Sequence, residues 1–328
     1  CAQALTERRH PADKVRLLAS KRSHGKQLEY AGQMLTVKEA TPESFDGVDV
    51  ALISASSEVS LALAPEAVKR GVLVIDDGSA YRMEPSVPLI VPEVNGEDVE
   101  WQSGIISIPN CTTTPLVMAL AALRQRAKIS SVTVSTYQSV TGTGAAARAE
   151  LLAQSRDMLN GQELSPPTQY PHRIAFNLLP QVDDFVDDDY TKEELKMLNE
   201  SRKILGDPGL RLAATCVRVP VEISHCESVS VEFDRPMSVD VAREALAEFP
   251  GIMLMDRPGE SVYPMPSNSA DEDEVMVGRV RRDLAHENGI ILWLAADNLR
   301  KGAALNALQI MDECVKRDCV RPRVAAAV

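Results

Sequence analysis

The chain has 328 residues, of which 45% are hydrophobic and 25% charged, and its net charge is -12. This length and composition are typical of an ordinary globular protein with two hydrophobic cores, and they exclude a fold that depends on disulfides. The negative charge argues against nucleic acid or an anionic membrane surface as a partner, because both favour a basic face.

The six cysteines show neither CxxC pairing nor the spacing of a metal site. This pattern favours reduced thiols in a reducing compartment, so we expect a cytoplasmic protein. No apolar run approaches the length of a membrane span, and no signal peptide is visible. The acidic run at residues 183–189 is more typical of a solvated loop than of a metal site, because no histidine or glycine turn organises its carboxylates.

Short apolar runs alternate with helical segments in the first third of the chain. A helix is predicted at residues 2–8, with no strand before it, and a second helix at 58–70. Strands are predicted at residues 14–20, 48–55, 72–76 and 104–108. This alternation is typical of a parallel sheet that helices cover on both faces and that binds ligands beyond the carboxyl ends of its strands.

Residues 20–23 place hydroxyls and cations at the end of the strand predicted at 14–20. In a dinucleotide-binding fold this position meets the adenosine ribose, and a cation there suits a 2′-phosphate. A solvated basic loop is the alternative interpretation of the same residues.

Cys111 lies between the strand predicted at 104–108 and a helix predicted from about Thr112 to Arg124. The first turn of a helix has unpaired N–H groups, which favour a thiolate and bind an oxyanion. The position therefore favours a nucleophile, although a small buried cysteine is equally consistent with it.

From residue 131 the pattern changes to longer alternating strands, which favours a mixed or antiparallel sheet. These strands are predicted at residues 131–140, 212–223, 227–233, 275–282 and 290–296, and a last helix follows at 302–317. The last helix has no core of its own there, so we expect it to return to the first domain. The predicted fold is α/β, with a Rossmann-like domain at 1–110 plus 303–328 and an α+β catalytic and dimerisation domain at 111–302.

His225 follows the apolar strand predicted at 212–223, where a satisfied core histidine is the usual explanation. A histidine within reach of Cys111 would instead serve as acid and base for thiol chemistry on a carbonyl. In an ideal strand the side chains of Arg218 and His225 would point to opposite faces. Pro220 disfavours an ideal strand, so their positions do not exclude both side chains from one pocket. The glycine turn at 142–147 matches a dinucleotide fingerprint only superficially.

Six sets of residues, in chain order, resemble the aspartate-β-semialdehyde dehydrogenase family. They are residues 76–83 (DDGSAYRM), 87–95 (VPLIVPEVN), 109–113 (PNCTT), 135–138 (STYQ), 218–221 (RVPV) with His225, and 296–304 (ADNLRKGAA). The resemblance extends from Leu17 to about Gln309, and several independent motifs carry it.

The resemblance implies a homodimer or a dimer of dimers, in which Cys111 is the nucleophile, His225 the acid and base, and Gln138 a residue that orients substrate or thiol. It implies further that Arg218 and Glu193 hold the amino-acid carboxylate and ammonium, that Arg82, Asn110 and Lys196 receive phosphate, and that Ser20, Arg22, Ser23, Ser54, Gly142 and Asn298 contact NADP. A thioester enzyme of this kind would reduce L-4-aspartyl phosphate to L-aspartate 4-semialdehyde, in lysine, threonine and methionine biosynthesis. Inorganic phosphate would be the co-substrate of the reverse direction, and no metal is implied.

The start of the chain departs from the family pattern, which opens with a strand and a Gly-x-x-Gly-x-x-Gly phosphate loop. We expect from this that the sequence is an N-terminally truncated form of a longer protein.

Two other interpretations of the function stay open. The first is a related enzyme, an N-acetyl-glutamyl-phosphate reductase. That family has a sequence like Pro-Gly-Cys-Tyr around its cysteine, whereas this chain has Pro-Asn-Cys-Thr. A non-catalytic paralogue that acts as a dimeric interaction protein is opposed by the joint presence of Cys111, Gln138, Arg218 and His225.

Overall fold

The computed structural model describes residue 12 and residues 14–320. The helix predicted at residues 2–8 lies outside the described residues. No helix within the described part is long and apolar enough to cross a membrane.

The chain forms two compact units. The first contains the described residues up to Pro92, Gly96–Ile108 and those from Ala304 onwards. The second contains Glu93–Asn95 and Pro109–Ala303.

The elements are numbered in chain order. The strands are β1 (Leu18–Ala19), β2 (Gln27–Tyr30), β3 (Gln33–Thr36), β4 (Lys38–Glu39), β5 (Val50–Ile53), β6 (Leu73–Asp76), β7 (Ile105–Ser107), β8 (Ile129–Gln138), β9 (Leu212–Arg218), β10 (His225–Phe233), β11 (Ile252–Leu254), β12 (Val275–Arg282) and β13 (Gly289–Ala296). The α-helices are α1 (Ser57–Val68), α2 (Pro92–Asn95), α3 (Thr113–Arg124), α4 (Ala145–Leu159), α5 (Lys192–Leu205), α6 (Val239–Glu248), α7 (Pro266–Ser269) and α8 (Leu305–Lys316). Short 3₁₀ helices span Lys21–Ser23, Pro42–Phe45, Gly96–Trp101, Val140–Thr143, Asp187–Asp189 and Pro258–Glu260, and a π-helix spans Arg300–Ala304.

Strands β5, β6 and β7 form a parallel sheet in the first unit, as predicted. Successive residues of β6 alternate between its two faces, because side chains alternate along a strand. Leu73 and Ile75 pack with Leu308 of α8, whereas Val74 packs with Ala64 of α1. Helices therefore cover both faces of this sheet, and both faces are apolar.

The strand predicted at residues 14–20 is wrong in its extent, because only β1 is extended and paired there. β1 pairs in parallel with the equally short β4. The side chain of Arg16 donates to the carbonyl oxygens of Ser44 and Asp46, at 2.9 and 2.8 Å. The side chain of Arg16 thus contacts the end of the 3₁₀ helix Pro42–Phe45 and does not belong to an apolar strand.

The second unit is built on a six-stranded mixed sheet in the order β11-β12-β13-β10-β8-β9. β8 pairs with β9 in parallel and with β10 antiparallel. Alternate residues of β10, including Val229, Val231 and Phe233, are buried, so one face of the sheet belongs to the core. Helices α3 and α5 pack against each other, and α5 packs on β9.

The strand predicted at 212–223 is also wrong, because β9 ends at Arg218 and a new strand begins at His225. Pro220 has no N–H to donate to a neighbouring strand, and Ser224 has a φ of 76°, so the chain turns between them. Arg218 and His225 consequently lie on two different strands, one on each side of β8.

Helix α5 begins at the capping box that the sequence predicts. The Thr191 N–H donates to the Glu194 carboxylate at 2.7 Å, and the Glu194 N–H donates to Thr191 Oγ1 at 3.3 Å. These two bonds satisfy N–H groups that the first turn would otherwise leave unpaired.

We expect Gly104→Ala to destabilise the first unit more than an ordinary glycine replacement. Gly104 has a φ of +108°, and a Cβ atom there would lie 2.7 Å from Cγ1 of Val68. Backbone strain and overpacking together should lower the free energy of unfolding by roughly 2–4 kcal/mol. Gly71→Ala is the matched control, because Gly71 has a φ of +77° and no atom lies within 4 Å of the added Cβ.

Backbone strain alone should cost Gly71→Ala about 1 kcal/mol. Urea unfolding of both variants measures the difference. Equal losses of unfolding free energy in the two variants would show that the contact with Val68 does not contribute to the destabilisation.

Candidate active site

Asn110 and Cys111 precede helix α3 and are held by hydrogen bonds to its first turn. Asn110 Oδ1 accepts from the N–H of Thr112 at 2.9 Å and from its hydroxyl at 2.6 Å. Cys111 Sγ lies 3.8 Å from the same oxygen and is half-buried. Cys111 therefore lies at the positive end of a helix dipole, which is a suitable position for a nucleophilic thiol.

Glu193 is the point at which three predicted site residues meet. Its Oε1 accepts from Asn110 Nδ2 at 3.0 Å and from Gln138 Nε2 at 3.0 Å, and its Oε2 lies 3.2 Å from Lys196 Nζ. Glu193 is 5% exposed. A buried carboxylate needs such donors, and this contact set in turn fixes the amides of Asn110 and Gln138.

Lys196 lies between two carboxylates. Its Nζ is 2.8 Å from Asp183 and 3.2 Å from Glu193. Burial alone would lower the pKa of Lys196, but the negative charge of Glu193 and the hydrogen bond with Asp183 outweigh it and raise the pKa. Lys196 therefore stays a cation, and the first residue of the acidic run at 183–189 is an ion-pair partner.

His225 is fully buried at the start of β10. The Ser139 N–H donates to its Nδ1 at 3.0 Å, so Nδ1 holds the lone pair and the hydrogen of the neutral ring lies on Nε2. Burial, followed by the positive charge of Arg218, lowers the pKa of His225 to about 3. Nε2 has no hydrogen-bond partner within the described residues. The ring is thus neutral and has an N–H for a ligand atom.

Arg218 is buried beside His225. A Cβ atom added at Gly142 would lie 3.2 Å from Arg218 Nη1 and 3.2 Å from His225 Nε2, so both side chains meet at the predicted glycine turn. Arg218 Nη1 donates to the Ser139 carbonyl at 2.7 Å, and the guanidinium lies 5.9 Å from the centre of the Tyr170 ring. Its Nε has no partner among the described residues, so a donor remains for an anion.

Asn298 is also buried in this part of the second unit. Its Oδ1 accepts from the Ser139 hydroxyl at 3.0 Å and from the Ser224 N–H at 3.0 Å. Its Nδ2 donates to Thr141 Oγ1 at 3.2 Å. The amide of Asn298 therefore supports the residues around His225, in addition to any contact with a cofactor.

Ser20, Arg22, Ser23, Ser54 and Arg82, the remaining predicted residues, belong to the first unit and lie at or beyond the carboxyl ends of its strands. Ser20, Arg22 and Ser23 lie in and before the 3₁₀ helix that follows β1, and Ser20 and Arg22 are exposed. Ser54, after β5, donates to Asp77 Oδ2 at 2.9 Å. Arg82 donates from Nη2 to the Asp77 carbonyl at 2.9 Å.

Sequence reasoning missed two residues that hold this site. Ser139 anchors His225, Arg218 and Asn298. Glu200 is 1% exposed, and its carboxylate accepts from the Asn110 N–H at 2.7 Å. Glu200 lies seven residues after Glu193, which places both carboxylates on one face of a helix. That spacing is visible in the sequence, whereas the contact of Ser139 depends on strand pairing.

No group of three or more histidine, cysteine or acidic side chains in the described part of the chain is arranged to hold a metal ion. Cys111, Cys216, Cys226, Cys314 and Cys319, which are the cysteines in that part, form no disulfide.

The buried neutral ring of His225 should make stability depend on pH. Its pKa is about 3 in the folded chain and about 6.5 in the unfolded chain, so only the unfolded chain gains a proton between these values. The contribution of the neutral His225 ring to the free energy of unfolding is fully present above pH 6.5 and is lost as the pH falls towards 3. We therefore expect the loss caused by His225→Gln, measured by urea unfolding, to be larger at pH 7.5 than at pH 5.

His286→Gln is a control with the opposite sign. The Asp283 carboxylate raises the pKa of His286, so that its stabilisation is present below pH 6.5 and is lost at higher pH. A loss in His225→Gln that grows at pH 5 would contradict a buried neutral imidazole.

Known proteins match the chain along nearly its whole length. Residues 2–102 match the family model "Semialdehyde dehydrogenase, NAD binding domain", and residues 120–301 match "Semialdehyde dehydrogenase, dimerisation domain". The aspartate-semialdehyde dehydrogenase of Bacillus subtilis (strain 168) is 47% identical over 325 residues, which cover 97% of this chain and 94% of that protein. That of Aquifex aeolicus (strain VF5) is 47% identical over 321 residues, with the same shares covered.

Solved structures agree with these relatives. Aspartate semialdehyde dehydrogenase II from Vibrio cholerae, complexed with ASA, superposes with a TM-score of 0.92 at 41% identity and covers 96% of this chain and 94% of that one. The enzyme with NADP from Candida albicans superposes with a TM-score of 0.74 at 25% identity and covers 96% and 95%. The chain therefore belongs to the aspartate-semialdehyde dehydrogenase family.

Proposed function

We propose that this enzyme reduces L-4-aspartyl phosphate to L-aspartate 4-semialdehyde with NADPH, through a thioester on Cys111. The observation that carries the proposal is the geometry of the second unit. A half-buried thiol lies at the start of α3, the Glu193 contacts hold the residue beside it, and His225 and Arg218 each keep an unpartnered N–H. These are the groups that acyl transfer to a thiol needs.

Cys111 would attack the acyl phosphate carbon as a thiolate, and phosphate would leave with the bonding electrons. When bound, the nicotinamide would supply the hydride that reduces the resulting thioester. His225 would donate a hydrogen bond from Nε2 to the substrate oxygen that carries negative charge before the C–S bond breaks and the aldehyde forms. In this scheme the neutral ring acts first as a hydrogen-bond donor, which fits its tautomer.

Arg218 is the proposed partner of the substrate carboxylate. Its guanidinium is buried and fixed by the Ser139 carbonyl and the Tyr170 ring, so its remaining N–H groups are preorganised. Glu193 is the proposed partner of the ammonium group, and it is a buried carboxylate whose charge is already stabilised. Two fixed groups of opposite charge suit the carboxylate and ammonium of an amino acid, and the Arg218 guanidinium would offset the negative charge of the protein where the anionic substrate binds.

Lys196 and Arg82 are the cations proposed to receive the phosphate group. Lys196 remains charged in the second unit, and Arg82 belongs to the first. Asn110 is proposed as a third contact, although its side-chain amide already donates to Glu193. In the reverse direction these groups would receive inorganic phosphate as co-substrate. A thiolate route of this kind requires no metal.

NADP is the proposed cofactor. The match to a NAD-binding domain supports a nicotinamide dinucleotide, and the Candida albicans relative was solved with NADP. The exposed Arg22, with Ser20 and Ser23 beside it, fits a 2′-phosphate because the donor set is cationic and hydroxylic. Ser54, Gly142 and Asn298 are proposed along the rest of the cofactor. The dimerisation-domain match supports a homodimer.

The relatives named above favour this proposal over an N-acetyl-glutamyl-phosphate reductase, because they are aspartate-semialdehyde dehydrogenases. The joint geometry of Cys111, Gln138, Arg218 and His225 argues against a non-catalytic paralogue. A folded dimer with no turnover on L-aspartate 4-semialdehyde would favour that second alternative.

Cys111→Ser should lower phosphate-dependent NADP reduction with L-aspartate 4-semialdehyde by about 1,000-fold or more, because the nucleophile is removed. Cys319→Ser is the control, since Cys319 is buried in the first unit and has no proposed role. It should keep kcat within about two-fold. Turnover near the native value in Cys111→Ser would refute the thioester route.

Arg22→Ala should raise the Kd for NADP by about 10- to 100-fold, because a charge-assisted contact with the 2′-phosphate is lost. The Kd for NAD should change by less than about two-fold. Lys69→Ala removes the same charge from an exposed site of the same unit and should affect both cofactors little. Titration of each variant with NADP and NAD measures this, and equal losses for both cofactors would exclude Arg22 as the 2′-phosphate contact.

A further inference from the structure

The segment from Asp297 to Gly302, here called the 297–302 segment, follows β13 and is fixed at several points within the second unit. Asp297 accepts from the Asp271 N–H at 2.8 Å, and Arg300 pairs with Asp273 at 2.7 Å. Lys301 is 1% exposed, and its ammonium lies 2.6 Å from Glu93. A buried lysine of this kind requires its carboxylate partner, so the segment has little freedom to shift.

The backbone of the segment leaves the α-helical spacing at Gly302. Its N–H donates to the carbonyl of Asp297, five residues earlier, at 3.2 Å. This is the spacing of the π-helix assigned at Arg300–Ala304. A π-turn is wider than an α-turn and occurs frequently at functional sites, where it places one residue outside the ordinary helical path.

Gly302 packs directly against Cys111. A Cβ atom at Gly302 would lie 2.8 Å from Cys111 Cβ, 3.1 Å from its Cα and 3.3 Å from its carbonyl oxygen. The first distance is too short for two carbon atoms and the other two are unusually tight, and a change of side-chain rotamer would not move any of the three atoms away. The φ of Gly302 lies outside the left-handed region, so glycine is needed here for space and not for backbone conformation.

The same segment contacts the residues that hold His225. Asn298 accepts from the Ser139 hydroxyl at 3.0 Å, and the Ser139 N–H donates to His225 Nδ1 at 3.0 Å. One short segment therefore touches Cys111 at the backbone of Gly302 and supports His225 through the side chain of Asn298.

We propose that the 297–302 segment positions the two reacting groups relative to each other, and that Gly302 is the positioning residue for the Cys111 thiol. The proposal rests on the proposed function of Cys111. A thiolate and a proton donor must reach one carbonyl group together, and a misplacement of about 1 Å can lower the rate by about 100-fold. Close backbone contact at Gly302 limits such displacement of Cys111.

Gly302→Ala tests this proposal, and Gly259→Ala is its matched control. Gly259 belongs to the same unit, and a Cβ atom there has no neighbour within 4 Å. We expect Gly302→Ala to lower kcat by about 10- to 100-fold while KM for NADP changes by less than about two-fold. Gly259→Ala should change neither.

Alkylation of Cys111 by iodoacetamide, followed by mass spectrometry as a function of pH, gives a readout that does not depend on turnover. The midpoint pH of alkylation should shift in Gly302→Ala, because the sulfur moves relative to the first turn of α3. An unchanged kcat and an unchanged midpoint, as in Gly259→Ala, would overturn the proposal. Failure of Cys111→Ser to lose activity would instead refute the proposed function and would leave this packing test valid.

A double-variant comparison covers the case in which Gly302→Ala folds poorly. Cys111→Gly removes the Cβ atom that the new side chain meets, whereas Cys111→Ala keeps it. The melting temperature of Gly302→Ala should therefore rise when it is combined with Cys111→Gly and should not rise with Cys111→Ala. Equal effects of the two partners would show that the contact is not with Cys111.

Discussion

The buried carboxylate of Glu193 is the interaction on which the site in the second unit depends. It accepts hydrogen bonds from Asn110 and Gln138 and pairs with Lys196, so it joins the start of α3, the end of β8 and helix α5. A charge in this position is costly unless all these donors are in place, and removing one donor leaves the others misdirected. The contacts of Glu193 thus impose one arrangement on three elements that are far apart in sequence.

Strand order brings the remaining groups beside this carboxylate. Gln138 ends β8 and lies opposite Arg218 in the parallel pairing with β9. On the other side of β8, Cys226 lies opposite Tyr137, so that His225 falls next to Gln138. A row of three side chains across three strands therefore requires the chain to turn between Arg218 and His225, and Pro220 and Ser224 provide that turn.

Much of this arrangement is predictable from local sequence, but the parts that depend on pairing are not. The capping box at Thr191, the parallel strands near Leu73 and the cysteine before α3 each have a local signal, and family resemblance adds the roles of distant residues. Gly302 and Ser139 have no such signal, because their importance comes from atoms more than 80 residues away in sequence. The prediction that the strand continues past Arg218 was wrong for the same reason, since apolar residues do not show where strand pairing ends.

In the proposed reaction, the charge of Arg218 would link substrate binding to the protonation of His225. Burial is the main reason that His225 is neutral, and the positive charge of Arg218 adds to it. A substrate carboxylate at Arg218 would neutralise that charge and so raise the pKa of His225 from its low value in the unliganded chain. In the unliganded chain the Ser139 N–H donates to Nδ1, so protonation of the ring at Nδ1 would have to break this bond. In the proposed function Arg218 binds the substrate, so the same guanidinium would ease protonation of the His225 ring once the substrate is bound.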